Sequence, residues 1–149
     1  MQPLENDFFD TNEGCKNIQQ ILFPEGLPGL ENVKEFLLIA EEEETPFVWL
    51  QAAHNPETSF LTVDPFIIHP SYLPDISEED LQAVNIGDLS DVFLTCIVNM
   101  RNNHEQGVTV NLVSPILINW KSKVGKQVIL QNYQDYSVRY RIDQAPKSA

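Results

Sequence analysis

A chain of 149 residues is long enough for one domain with a sizeable core and short for two. Hydrophobic residues make up 42 %, too many for a disordered chain, and no apolar run approaches the ~20 residues that a membrane-spanning helix requires. Nine Lys and Arg stand against 22 Asp and Glu, a formal charge of −13, and the first hundred residues hold 19 of the acids but only two of the bases, Lys16 and Lys34. A field of this sign repels phosphate backbones, because nucleic-acid binding relies on cations that release condensed counterions. Direct binding of DNA or RNA is not expected. A basic protein partner fits the charge better, although the same charge also serves simply to keep a small protein soluble.

Residues 1–17 are polar and acidic without a sustained period and read as a partly ordered extension. The opening Met1 to Asp7 has neither the basic nor the apolar region of a signal peptide. Residues 18–144 read as one β domain and residues 145–149 as a flexible tail. Ile18 to Phe23 runs into Pro24-Glu25-Gly26-Leu27-Pro28-Gly29, where the glycines supply positive φ and the prolines fix φ near −65°. Phe36–Ala40, Pro46–Gln51, Ser59–Val63, Val92–Asn99, Val108–Val113, Ile116–Asn119 and Val124–Leu130 follow. They are short, rich in Val, Ile and Phe, and mostly closed by Pro, Gly, Asn or Asp, the spacing of an antiparallel, mainly β domain. Phe93 to Val98 is apolar on both faces, as in a central strand. Val138, Tyr140 and Ile142 alternate with Ser137, Arg139 and Arg141.

One helix start is legible. Ser77 is a good N-cap for Glu78 to Val84, Asp80 stands at the third helical position, and Ile76 and Leu81 are spaced for a hydrophobic staple. Gly87 offers a left-handed stop.

Catalytic and metal signatures are weak. His54, His69 and His104 have no second His or Cys at ligand spacing. Gly125-Lys126 lacks both the upstream Gly and the Ser/Thr of a phosphate loop, and no G-x-S-x-G elbow occurs. Cys15 and Cys96 form no C-x-x-C pair, and Cys96 lies in an apolar run, which points to a reducing cytoplasm. No cofactor, metal or catalytic residue is expected.

Five anchors, in order, give the chain a family resemblance. They are Phe23-Pro24-Glu25-Gly26-Leu27-Pro28-Gly29, then Pro46-Phe47-Val48-Trp49-Leu50-Gln51, then Val63-Asp64-Pro65-Phe66 with Pro70-Ser71-Tyr72. Asn111-Leu112-Val113-Ser114-Pro115-Ile116-Leu117-Ile118-Asn119 and Gly125-Lys126-Gln127-Val128-Ile129-Leu130 complete the set. From about Ile21 to Ile142 the sequence resembles the bacterial flagellar assembly factor FliW family. It departs in Gln2 to Gln20, which lacks the aromatic-Gly pair of the short strand that usually opens the family, at Ser114, where Ala is more common, and at Trp120, where a polar residue or proline is more usual.

The resemblance implies a single antiparallel β-barrel-like domain with one or two short helices, monomeric, non-enzymatic and cytoplasmic. It implies binding of flagellin in a chaperone-like manner, and binding of the translational regulator CsrA, whose repression of flagellin mRNA is thereby relieved without competition for the RNA surface. Two rival readings are a flagellin chaperone without regulator binding and a small β-barrel enzyme; pull-downs and the colour and metal content of the purified protein separate them. Phe66, Tyr72 and Leu73, set among Pro65, Pro70 and Pro74, are candidate partner anchors or a cover for the barrel end. Glu41, Glu42, Glu43 and Glu44, with Glu78, Glu79 and Asp80, are candidates for steering or RNA repulsion, against the alternatives of a solvated turn and a charge-complemented helix start. Asn111 and Asn119 are expected to satisfy backbone groups rather than to touch a partner.

Overall fold

Strand alternation decides this architecture, because each strand has one set of side chains for a barrel interior and another for whatever covers the outside. The computed structural model describes residues 17–100 and 107–142. Expectations for residues 1–16 and 143–149, and for Cys15 and His104, lie outside the described residues. The elements are β1 (Asn17–Leu22), β2 (Glu35–Ala40), β3 (Phe47–Ala52), β4 (Ser59–Val63), α1 (Pro65–Ile68), α2 (Glu78–Ala83), β5 (Val92–Asn99), β6 (Val108–Val110), β7 (Ile116–Asn119), β8 (Val124–Gln127) and β9 (Tyr140–Ile142). Asn17, assigned to the extension from sequence, opens β1 instead.

Seven strands close into a barrel in the order β4-β3-β2-β1-β8-β7-β5, with β5 pairing back to β4. Mainly β, barrel-like and with two short helices, the fold is the one expected. One seam is not antiparallel: β1 runs parallel to β8, meeting it at Leu22 and Val124, where the Leu22 N–H donates to the Lys123 carbonyl at 2.9 Å. Beyond the ring, β6 pairs with β5 and β9 with β6, forming a small annex.

The interior is filled by Ile21, Phe36, Leu38, Val48, Leu50, Phe93, Ile116 and Ile118, together with Phe23 and Leu27 from the turn after β1. That turn works because Gly26 sits at φ +67°, and a Cβ there would lie 2.6 Å from the Leu30 carbonyl oxygen. Phe23 also explains Gly125: its ring carbons stand 2.8 and 2.9 Å from where a Cβ on Gly125 would be. Two sequence anchors a hundred residues apart are thus one packing contact.

Outside the barrel, a second cluster joins Phe47, Val63, Cys96 and Val98 to Tyr72, Val110, Leu112 and Leu130. A third sets Val92, Leu94, Leu117 and Val128 under Val84, with Ile76 and Leu81 packed against them. The two outward sets of β5 are therefore covered, which accounts for a strand apolar on both faces.

Helix α2 begins as expected, with the Ser77 hydroxyl accepting from the Asp80 N–H at 3.0 Å. Its end differs. The left-handed residue is Asn85 at φ +63°, not Gly87. Asn85 N–H donates to Gln82 O at 3.0 Å and Ile86 N–H to Leu81 O at 2.9 Å, a paired C-terminal cap that folds Ile86 back into the cluster holding Leu81. Val138 also departs from the alternation: it is exposed, because pairing of β9 with β6 begins only at Tyr140.

Candidate functional site

The proline-rich stretch separates the three expected anchors. Asp64 caps a single helical turn, accepting from the Phe66 N–H at 2.9 Å, with Pro65 at the first helical position. Phe66 is half-buried and packs against both outer clusters. Tyr72 is only 2 % exposed. Its hydroxyl donates to the Leu112 carbonyl at 2.7 Å, and its ring meets Phe66 and Tyr136 at 5.7 and 4.8 Å. Burial pushes the Tyr72 phenol and the neighbouring Cys96 thiol above their ordinary pKa values, so both stay neutral. Tyr72 is therefore an internal strut and not a surface anchor, a correction to the expectation. The next side chain, Leu73, is 74 % exposed.

Leu73 is held rigidly. Its N–H donates to the Tyr136 hydroxyl at 2.8 Å, while Asn132 donates to the Leu73 carbonyl at 2.8 Å and accepts from the Asp75 N–H at 3.0 Å. Gln131 N–H adds a bond to the Asp75 carbonyl at 2.8 Å. A backbone held in this way has little left to order on binding. Tyr133, on the partner loop of this zipper, is also exposed.

The acids divide by surroundings. Glu42, Glu43 and Glu44 form an exposed 3-10 turn after β2, preceded by half-buried Glu41. Glu78 and Glu79 are exposed on the first turn of α2. Asp80 differs: it bonds Lys126 Nζ at 2.9 Å instead of closing a capping box. That bond holds the Lys126 ammonium above the ordinary lysine pKa. Asp80 is thus engaged within the fold, its charge paired with Lys126. It ties α2 to β8.

Polar side chains near the barrel end are likewise occupied. Asn119 accepts from the Lys121 and Ser122 N–H groups at 2.9 and 3.1 Å and donates to the Val84 and Asn85 carbonyls at 2.8 and 3.1 Å. Asn111 accepts from the Val113 and Ser114 N–H groups, both at 3.1 Å. Ser114, one of the three departures from the family pattern, donates to the Val128 carbonyl at 2.6 Å. Trp120, another of them, stacks near Phe93 at 5.3 Å under the Lys123 ammonium, 3.9 Å from its ring.

A cavity of about 320 Å³ lies beside the start of β2, lined by Asn32, Val33, Lys34, Glu35, Ala52, His54 and Asn55. His54 contacts Glu35 there at 2.8 Å, in an exposed setting. Among the described residues no three His, Cys, Asp or Glu side chains gather as metal ligands, and no helix is long and apolar enough to cross a membrane.

The sequence reading missed one surface altogether. Ile18 of β1 faces Ile39 of β2, which faces Trp49 of β3, which faces Leu61 of β4. Ile39 and Trp49 alternate with buried Leu38, Ala40, Val48 and Leu50, so this row points outward. Its signal lay in β2, whose Leu37 and Ile39 break the usual polar outer face.

Fold and surface together define a small, closed, seven-stranded barrel dressed on one side by its own loops. The family model described as FliW protein matches residues 6–142, and the chain belongs to that family. It is 39 % identical over 130 residues to the flagellar assembly factor FliW of Thermoanaerobacter pseudethanolicus, covering 87 % of this chain and 85 % of that protein. It is 38 % identical over 132 residues to the Borreliella afzelii protein of the same name, covering 89 % and 97 %. A crystal structure of the flagellar assembly factor FliW superposes with a TM-score of 0.72 at 34 % identity, covering 82 % of this chain and 84 % of that one.

Proposed function

We propose that this protein is a cytoplasmic flagellar assembly factor that works as a partner switch between flagellin and a CsrA-type translational regulator. Membership of the FliW family supports the flagellar role, and the observation that carries the switch is the concentrated negative charge of −13. Flagellin accumulating in the cytoplasm occupies the factor and leaves the regulator free to repress flagellin mRNA. Once flagellin is exported, the factor binds the regulator and lifts the repression. Docked beside an RNA-binding surface, exposed carboxylates such as Glu42 to Glu44 and Glu78 to Glu79 act on phosphates over a Debye length, about 8 Å at physiological salt. RNA binding weakens without any RNA contact being covered. By linkage RNA weakens binding of the factor by the same ratio, typically 5–150-fold for such couplings.

The test is a salt series. The affinity of the regulator for its mRNA leader is measured with and without saturating factor as ionic strength rises. The penalty imposed by the factor is expected to shrink with salt; a penalty independent of salt contradicts the electrostatic account.

A further inference from the structure

We infer that the outer face of β1 to β3, centred on exposed Ile18 and half-buried Ile39 and Trp49 and left without a cover among the described residues, docks an apolar protein segment flanked by Lys or Arg. This rests on the reading of the chain as a protein-binding factor and says where on the barrel one partner sits.

Three observations converge. Antiparallel strands with one solvated face normally place polar residues there. Here Ile18, Ile39 and Trp49 stand outward in one register row, with Leu37 outward beside it between Gln20 and Gln51; Leu37, Ile39 and Trp49 are half-buried, and none of the three belongs to any of the three packed clusters. Ile18 is 50 % exposed and Leu22 beside it is exposed as well. The row ends at Leu61, which packs against the covered outer cluster, so the apolar surface runs out from beneath the chain's own loops into the open. Tryptophan is among the side chains most enriched at the positions that dominate interface energies.

The edge of the sheet is open too. β1 meets β8 at Leu22 alone, and along Ile18 to Gln20 that edge has no strand partner among the described residues. Natural proteins usually blunt or cover such edges.

Charge selects the occupant. From Asn17 to Val63 one base, Lys34, stands against eight acids: Glu25, Glu31, Glu35, Glu41 to Glu44 and Glu57. Glu35 lies opposite Leu22 on the same outward set, and the 3-10 turn carrying Glu42 to Glu44 follows the end of β2. Among the described residues no cation pairs with Glu41 to Glu44. A second copy of the chain would bring another −13 against this rim, and like charges oppose that association. A segment with an apolar centre and basic flanks satisfies both the row and its rim.

Calorimetry with the organism's purified flagellin and purified CsrA-type regulator tests the assignment, using the unaltered chain, Ile18→Lys, Trp49→Thr and, at an exposed apolar position away from the row, Val138→Ser. Thermal unfolding of each variant checks the fold, and Ile18→Lys, on a half-exposed edge, keeps the test valid if Trp49→Thr unfolds. Ile18→Lys and Trp49→Thr are expected to weaken one of the two partners by about tenfold or more, with Val138→Ser within about twofold of the parent for that partner. If both proteins bind Ile18→Lys and Trp49→Thr as they bind the parent, the docking face is elsewhere and the inference fails while the functional reading stands. If the unaltered chain binds neither protein, the functional reading fails and takes the inference with it. A homodimer that Ile18→Lys dissociates overturns the choice of occupant, because the face would then belong to a second copy.

Discussion

The two sides of the barrel begin from the same pattern and end differently. On the β5–β7–β8 side, outward Val92, Leu94 and Leu117 are covered by α2 and the chain following it. On the β1–β3 side, outward Ile18, Ile39 and Trp49 stand in no packed cluster. Apolar residues on both faces of a strand therefore record that something covers the second face, not what covers it. In β5 the cover is intramolecular; on the outer face of β2 no cover stands among the described residues.

Substitutions sharpen that contrast, because the covered side should carry stability and the bare side should not. Tyr72→Ala removes a buried ring and the hydroxyl that satisfies Leu112 O, and should lower unfolding free energy by about 3–5 kcal/mol. Gly125→Ala drives a methyl into Phe23 and should cost about 2 kcal/mol by overpacking; denaturant melts check both. Asn119→Ala leaves the β7–β8 turn and the end of α2 without four hydrogen bonds. A loss of about 2 kcal/mol is expected, with faster amide exchange at Lys121 and Ser122.

Lys126→Met should cost only about 1 kcal/mol, since the Asp80 pair is partly solvated. Its sign with pH follows from the raised Lys126 pKa. The pair's contribution is complete below the ordinary lysine value of 10.5 and is lost as pH rises through the higher folded value, so parent and variant should converge in alkali. The smallest effect belongs to the bare side: Ile18→Thr should change stability by no more than about 0.5 kcal/mol. A loss rivalling that of Tyr72→Ala would mean that the face is covered in the folded monomer, and would break the comparison.

How much of this was legible in the chain follows from how far each signal reaches. Strand positions, the Gly26 turn and the Ser77 cap depend on a few neighbouring residues, and all were readable. The parallel β1–β8 seam and the contact of Phe23 with Gly125 are set by closure of the ring, which no local pattern carries. Tyr72 and Leu73 are adjacent in one proline-rich segment, yet one is buried and the other exposed. Only the partner at Leu112, forty residues on, decides which. The Ile18–Ile39–Trp49–Leu61 row needs the register of four strands at once, so each residue looked like ordinary strand core. The conspicuous motifs proved architectural: Asn111, Ser114, Asn119 and Gly125 hold turns and close contacts. The surface offered here for binding came from residues outside the most distinctive anchors or, as with Trp49, from within one read only as a strand.

The most direct measurement is a sizing-column experiment with purified factor, flagellin and CsrA-type regulator mixed in pairs and then all together. A partner switch predicts a factor–flagellin complex and a factor–regulator complex, with excess flagellin displacing the regulator from the factor. A stable three-component complex with undiminished affinity for both partners, or no complex at all, would contradict it.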